Sequence, residues 1–386
     1  FIDTYITGVT SNVYVEIEGK KNSSTEEVKE EIAEEYAGGN GTKEDPYQIS
    51  TAGQLTLLAE KVNNGEKYTD TYFELTNSID INGQSWWPIG GMVSLDQNEI
   101  TNYFEGNFEG NNNTIKNMDI YITDAAYVGL FGYVKDAHIS NLNVESKQTI
   151  GSRAVGGICG VMEGKSVIEN CNVIGNVKSI LNWDNTELSI GFVGGIVGYM
   201  IDGEIKNCEN NAIVTSPYQQ VGGIVGAIES GKISDCKNTG KVIAYFTEGI
   251  QDPAVNNSNN SGNIAGGIAG SMKAGSITKC INTAEVKAES QEAGGIVGAI
   301  ESGTIDSCTN EGRITAKMQK AGGIAGFMQT GKIIKSSNTG TITAKYIENN
   351  KYSGINAGDI VGYNAKGEIS DCTNTGKVAN EAEKNK

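Results

Sequence analysis

The stretch VGGIVGAIESGKISDC, Val221–Cys236, returns almost unchanged as AGGIVGAIESGTIDSC at Ala293–Cys308. A Gly-Gly-x-x-Gly phrase is either a loop that cradles a phosphate or a structural unit, and the choice decides the fold. A dinucleotide loop occurs once, between a strand and a helix, with Gly-x-Gly-x-x-Gly spacing. Here the phrase starts at Val155, Val193, Val221, Ala265, Ala293, Ala321 and Ala357, with a degenerate copy, VGLFGYV, at Val128. Three of the intervals are 28 residues, and short β-branched segments flank the phrase on both sides. A period of that size means stacked supersecondary units. Gly222, Gly223 and Gly226 are therefore expected to let the chain pack closely, not to bind an anion.

Three apolar columns run through the copies. One holds Ile158, Ile196, Ile224, Ile268, Ile296, Ile324 and Ile360; a second holds Ile168, Ile205, Ile233, Ile277, Ile305, Ile333 and Ile369. The third holds Val177, Val214, Val242, Val286, Ile314, Ile342 and Val378. Glycines punctuate the segments, at Gly231, Gly275, Gly303, Gly331 and Gly367 and again at Gly240, Gly312, Gly340 and Gly376. Glycine takes the positive φ of a tight corner without strain. Three strands and three corners in 28 residues describe one coil of a β-solenoid. A propeller blade needs roughly 40 residues, and a leucine-rich repeat carries a helical return. The expected fold is all-β, a right-handed parallel β-helix whose coils stack at about 4.8 Å.

Six of the seven cysteines, Cys171, Cys208, Cys236, Cys280, Cys308 and Cys372, share one repeat position, and Ser336 fills it in the remaining copy. Ile233 and Cys236 are three apart, so both point inward only if a corner or bulge lies between them. The odd count and the serine argue for small residues filling that corner, since buried Cys packs as a small hydrophobe. Two residues further stand Asn210, Asn238, Asn282, Asn310, Asn338 and Asn374, whose amides are expected to hydrogen-bond along the stack.

Composition narrows the function. A formal net charge of −17 over 386 residues argues against nucleic-acid binding, which needs a basic footprint. No run of about 18 apolar residues appears, so no membrane insertion is expected within the chain. No signal peptide or lipid-attachment motif is visible, and any anchor is expected to lie outside this sequence.

The division expected is fourfold: residues 1–36, a strand and helix segment from another domain or a docking element; 37–127, a cap and irregular first coils; 128–380, the repeats; and 381–386, a frayed tail. In the first segment, SSTEEVKEEIAEEY reads as a helix with a capping box at Ser24 and Glu27 and a stripe of Val28, Ile32 and Tyr36. In the second, Leu55, Leu58, Ala59 and Val62 have helical spacing behind Ser50 or Thr51 as N-cap. Such a helix would cover the open edge of the first coil.

The stretches GNGTKEDPYQISTAGQL, YFELTNSIDI, FEGNFEGNNNTIKNM and GLFGYV resemble the opening of bacterial surface proteins with GLUG motifs, and VGGIVGYM, VGGIVGAI and AGGIAGFM resemble the motif itself. The resemblance covers roughly residues 38–380. It implies a secreted or cell-surface bacterial protein with β-helical repeats, of a kind often described as candidate adhesins. GLUG repeats also accompany the metalloprotease domain of immunoglobulin A-cleaving peptidases. That activity does not carry over, because no His-Glu-x-x-His is present and one histidine cannot supply a two-histidine zinc site.

Chemistry is sparse elsewhere. His138 has no partner at a promising spacing, and Asp235 and Asp371 lie several coils apart, too far to act as a carboxylate pair. The acidic stretches NWDNTE and SLDQNE contain no D-x-D-x-D-G loop. No catalytic residue, cofactor or metal is expected. The insertions are more informative: LNWDNTELSIGF, YFTEGIQDPAVNNSNNSGNI and KYIENNKYSGIN all interrupt the repeat just before a glycine phrase. Insertions on one side of a repeat array mark a binding face. They carry Trp183, Tyr245, Phe246, Tyr346 and Tyr352, with Tyr218 nearby in SPYQQ. Aromatic rings amid amides and carboxylates suit recognition of a glycan or of a host or neighbouring-cell protein. The expected function is a non-catalytic extracellular adhesin. The alternatives are a structural stalk that self-associates into a fibre, and a polysaccharide lyase or hydrolase.

Overall fold

The computed structural model describes residues 32–81, 86–91, 102–122, 127–180, 191–217, 220–245, 263–317, 319–347 and 356–383. Their strands stack into four parallel sheets, the walls of a right-handed parallel β-solenoid. One coil shows the plan. Gln220–Gly222 lies in the first wall, Val225–Ile228 in the second and Lys232–Ser234 in the third. Lys237–Asn238 and Val242–Tyr245 share the fourth. Equivalent residues stand directly above one another, as in Ile205–Ile233–Ile277–Ile305–Ile333–Ile369 along the third wall. Apart from Ile369, which is 41% exposed in the last coil, the valine and isoleucine columns lie in or against one apolar cluster that runs through the interior, and Ile224, Ile233 and Val242 are fully buried.

Each of the three expected segments is present, and two are subdivided. The glycine phrase splits between the first and second walls because its backbones approach closer than any side chain allows. A Cβ on Gly222 would lie 1.8 Å from Val225 O. One on Gly223 would lie 2.1 Å from Gly267 O and 2.4 Å from Asn238 Cγ. At the corner between them, the amides of Ile224 and Val225 both donate to Ile268 O, at 2.9 Å each. The punctuating glycines divide by cause. Gly231 makes its corner at φ 110°, as expected, whereas Gly240 has no positive φ and is needed because a Cβ there would meet Ala212 O at 1.9 Å.

The bend required between Ile233 and Cys236 is a left-handed residue. Asp235 has φ 53°, and Asn170, Asn207, Lys279, Ser307, Lys335 and Asp371 repeat that conformation one coil after another. Asp235 and Asp371 are thus corner residues, a role that suits Asn and Asp. The turn directs each thiol inward, and the described cysteines are all free. Cys236 Sγ donates to Ser234 O at 3.2 Å, and Ser336 Oγ makes the same bond to Ile334 O at 2.9 Å, which is why serine substitutes there. Burial pushes the Cys171 thiol up, so it stays protonated at neutral pH.

The asparagines form a continuous amide row inside the core. Asn210 Nδ2 donates to Asn238 Oδ1, Asn238 to Asn282, Asn282 to Asn310, Asn310 to Asn338 and Asn338 to Asn374, at 2.6–2.8 Å. Each amide also closes a local turn, as where Asn282 Nδ2 donates to Ala284 O at 3.0 Å. Asn374 Nδ2 finally donates to Asp359 Oδ1 at 2.8 Å, and Asp359 occupies the place of the second glycine in its own phrase.

At the other end, the helix Ala52–Asn63 buries Leu55, Leu58, Ala59 and Val62 in the same cluster as Phe73, Phe104, Phe108 and Phe131. Thr51 is its N-cap, with Oγ1 accepting from Gln54 N–H at 3.2 Å. Two expectations need correction. Residues 32–36 are not helical: Tyr36 packs on Tyr47 and Phe73 at 4.8 and 5.5 Å between ring centroids, so tertiary packing overrides the helical spacing there. Residues 381–383 are not tail but the end of the strand Val378–Glu383, whose backbone pairs with Ile342–Ile347. The rest of the expected N-terminal helix, and residues 384–386, lie outside the described residues.

Asn282→Ala should lower stability by roughly 2–4 kcal/mol in denaturant unfolding, because it strands an acceptor, a donor and a buried carbonyl at once. Cys280→Ser, which copies Ser336, should cost under about 1 kcal/mol. Gly223→Ala places a methyl group inside two contacts and is expected to cost about 3 kcal/mol or more, or to prevent folding.

Candidate functional site

The corner between the first and second walls is reflex: side chains that point away from the core on the two walls meet each other. Val193 is buried in the core, so its neighbour Phe192 points outward, as does Tyr199 beside buried Met200. Their rings stack at 4.6 Å and 17°. Further along, the Ser271 hydroxyl bonds Gln220, and Lys320 Nζ lies 4.6 Å from the Phe327 centroid and 5.7 Å from that of Tyr363. The last glycine of the phrase makes this convergence possible. A Cβ on Gly226 would lie 2.4 Å from Val193 N, and one on Gly298 2.4 Å from Ile264 Cγ2.

The outward column of the second wall reads Tyr133, Val161, Tyr199, Ala227, Ser271, Ala299, Phe327, Tyr363. Small residues thus separate two aromatic groups. Tyr103, Tyr127 and Tyr133 pack over Val161 at one end, with centroids 5.7–6.2 Å apart, and continue into the Phe192–Tyr199 stack. Phe327 and Tyr363 stack at 5.9 Å and 6° at the other, and Tyr363 is 47% exposed. Between Tyr199 and Phe327 lie four coil steps, about 19 Å at the spacing of paired strands. Gln220 and Glu292 flank the floor from the first wall, and Glu292 Oε1 pairs with Lys320 Nζ at 2.8 Å. Beyond Phe327 the second wall turns around an open depression of 490 Å³ lined by Lys273, Ala274, Glu301, Ser302, Phe327 and Gln329. Lys273 is itself ion-paired with Glu229.

Of the aromatic residues predicted for binding, Trp183, Tyr218, Phe246 and Tyr352 lie outside the described residues. Tyr245 ends a fourth-wall strand opposite Pro217, with Lys178 Nζ 6.0 Å from its centroid. Tyr346 lies in the strand Ile342–Ile347 opposite Ala382. The insertions enter the first wall directly at Phe192, Ile264 and Asn356, so they join the chain at the edge of the reflex cleft. Sequence reasoning missed Phe192, Tyr199, Phe327 and Tyr363 as surface residues. For Tyr199, Phe327 and Tyr363 the signal was the aromatic that follows the phrase in GYM, GFM and GYN, where other copies have Val, Ala or Ser; Phe192, just before the phrase, left none.

His138 lies on the outer face of the third wall, half exposed, with Nε2 2.6 Å from Glu169 Oε1, while Lys206 Nζ is 3.1 Å from Glu169 Oε2. Among the described residues no group of three or more His, Cys, Asp or Glu side chains is placed to hold a metal ion, and no helix is long and apolar enough to cross a membrane. The site as described offers ring faces, amides and paired charges, which is equipment for non-covalent recognition.

Fold and cleft define a repeat protein whose conserved geometry builds walls and whose outward columns vary. The chain carries the GLUG motif, matched at residues 151–178 and 218–243. Over 147 residues, 36% of its length, it is 33% identical to a protein of Evansella cellulosilytica provisionally named a Gly-rich membrane protein. Over 192 residues, 49% of its length, it is 31% identical to halomucin of Haloquadratum walsbyi. The chain spans 15% and 2% of the lengths of those two relatives. A crystal structure described as that of a candidate immunoglobulin A1 protease from Bacteroides ovatus aligns with a TM-score of 0.49 at 19% identity, covering 88% of this chain and 87% of that one.

Burial alone would raise the pKa of Glu169, but hydrogen bonds from Lys206 and His138 outweigh it and hold the carboxyl below the usual carboxylate range. Its contribution is therefore present above the unfolded carboxylate pKa and fades as pH falls through the lower folded value. Glu169→Gln should cost under about 1 kcal/mol at neutral pH and progressively less as pH falls through the carboxylate range and below it, read from thermal melts along that series.

Proposed function

We propose that this chain is a non-catalytic binding segment of a microbial cell-surface protein, displayed outside the cell, whose ligand is a glycan or a protein of another surface. The names of two relatives, a Gly-rich membrane protein and halomucin, support the surface location. The observation that carries the binding role is the reflex cleft, where rings from two walls converge outside a core that has no use for them. A solenoid needs its inward columns to fold; the outward rings of Phe192, Tyr199, Phe327 and Tyr363 add apolar surface facing the cleft. Apolar and aromatic surface with a few placed polar groups is the general make-up of a recognition site. The described chain re-enters the first wall after each insertion at Phe192, Ile264 and Asn356, beside the cleft.

The test is an array of glycans and host proteins probed with the intact chain. Replacing Phe192 and Tyr199 together by Ala should abolish the strongest signal while moving the melting temperature by only a few degrees. Replacing Trp183, Tyr245 and Tyr346 by Ala should weaken the same signal. A signal unchanged in both variants overturns the reading.

A further inference from the structure

Resting on that binding role, the geometry points to a particular ligand class at one end of the cleft: a neutral glycan seated on Phe327, with a sugar ring in the depression between Lys273, Glu301 and Gln329. A pyranose presents an apolar face of C–H groups and a rim of hydroxyls. Phe327 supplies a ring that is part exposed and held in place by Tyr363 stacked behind it and by Lys320 over its face. The depression around it contains the groups a hydroxyl rim needs: the Glu301 carboxylate as acceptor, the Gln329 amide as donor and acceptor, and the Lys273 ammonium as donor. Its 490 Å³ falls within the range of roughly 300–1,000 Å³ typical of ligand sites.

Charge selects a neutral sugar. Lys273 is paired with Glu229 and Lys320 with Glu292, so neither cation at the site is without an anion. The chain as a whole carries −17, which repels an acidic polymer. Backbone pairing disfavours an extended peptide. The second-wall strands beneath the site, Val297–Ile300 and Ala325–Met328, are each paired on both sides, so no free strand edge is offered for main-chain hydrogen bonds. Toward Tyr199 the outward column runs on through Ala299, Ser271 and Ala227, with the Gln220 side chain reaching across to the Ser271 hydroxyl.

The experiment measures binding of the intact chain to cellohexaose, mannohexaose and xylohexaose, with hexagalacturonate and an extended Ser/Thr-rich peptide as competitors, by calorimetry and ligand-observed NMR. At least one neutral hexasaccharide is expected to bind more tightly than the uronate or the peptide. Phe327→Ala should weaken it about tenfold or more, Glu301→Gln several-fold, and Phe327→Tyr little, with all three variants melting near the parent. Tighter binding of the uronate or the peptide overturns the inference. So does neutral binding that survives Phe327→Ala in a folded variant. If the array finds a ligand that needs Phe192 and Tyr199 while none of the three neutral sugars binds, this inference fails and the broader binding role stands. If nothing binds at all, both fail.

Discussion

The solenoid depends on the contact between a buried asparagine amide and a glycine with no side chain to hold it off. Gly223 lets its backbone come against Asn238, and Asn238 in turn bonds to Asn282 in the next coil. A row of amides in an apolar core is stable only if every donor and acceptor is used, because an unpaired polar group there costs more than the bond contributes. The turn carbonyls at Ala212, Gly240, Ala284, Gly312, Gly340 and Gly376 complete that satisfaction. The glycine phrase and the asparagine column are therefore one device, split in the sequence and joined in space. It sets the cross-section of the coil, and the isoleucine and valine columns fill what it encloses.

Much of this was legible in the residues. Columns of Ile and Val at a fixed period announce stacked coils, and the serine among the cysteines announces a packing role for that position. The three-residue step from Ile233 to Cys236 required a corner, and Asp235 supplies it in the left-handed region. Two things were not legible. A two-residue periodicity tells inward from outward along a strand but not whether a corner folds outward or inward, so the reflex cleft left no trace in the pattern. Tyr199 and Phe327 sit one residue after a glycine, where the alternation is interrupted and an aromatic reads as core. At the N-terminal side, helical spacing at Ile32 and Tyr36 misled because Tyr36 gains more from the aromatic cluster of Tyr47, Tyr68 and Phe73 than from a helix.

The reflex corner separates what the fold requires from what the surface displays. Inward positions repeat with little variation from coil to coil. Outward positions on the second wall run from Tyr through Ala and Ser to Phe, with no change in register between the paired strands. These side chains lie outside the main apolar cluster, so they vary from coil to coil while the walls stay the same.

The amide row carries a consequence for the gene as well as for the fold. Because Asn238, Asn282 and Asn310 each bond a like residue on either side, a 28-residue unit gained or lost by unequal recombination between near-identical copies still leaves every amide a neighbour. The length of the wall is thereby a heritable variable that needs no compensating mutation, and the distance between the two ring stacks of the cleft changes with it, one coil at a time.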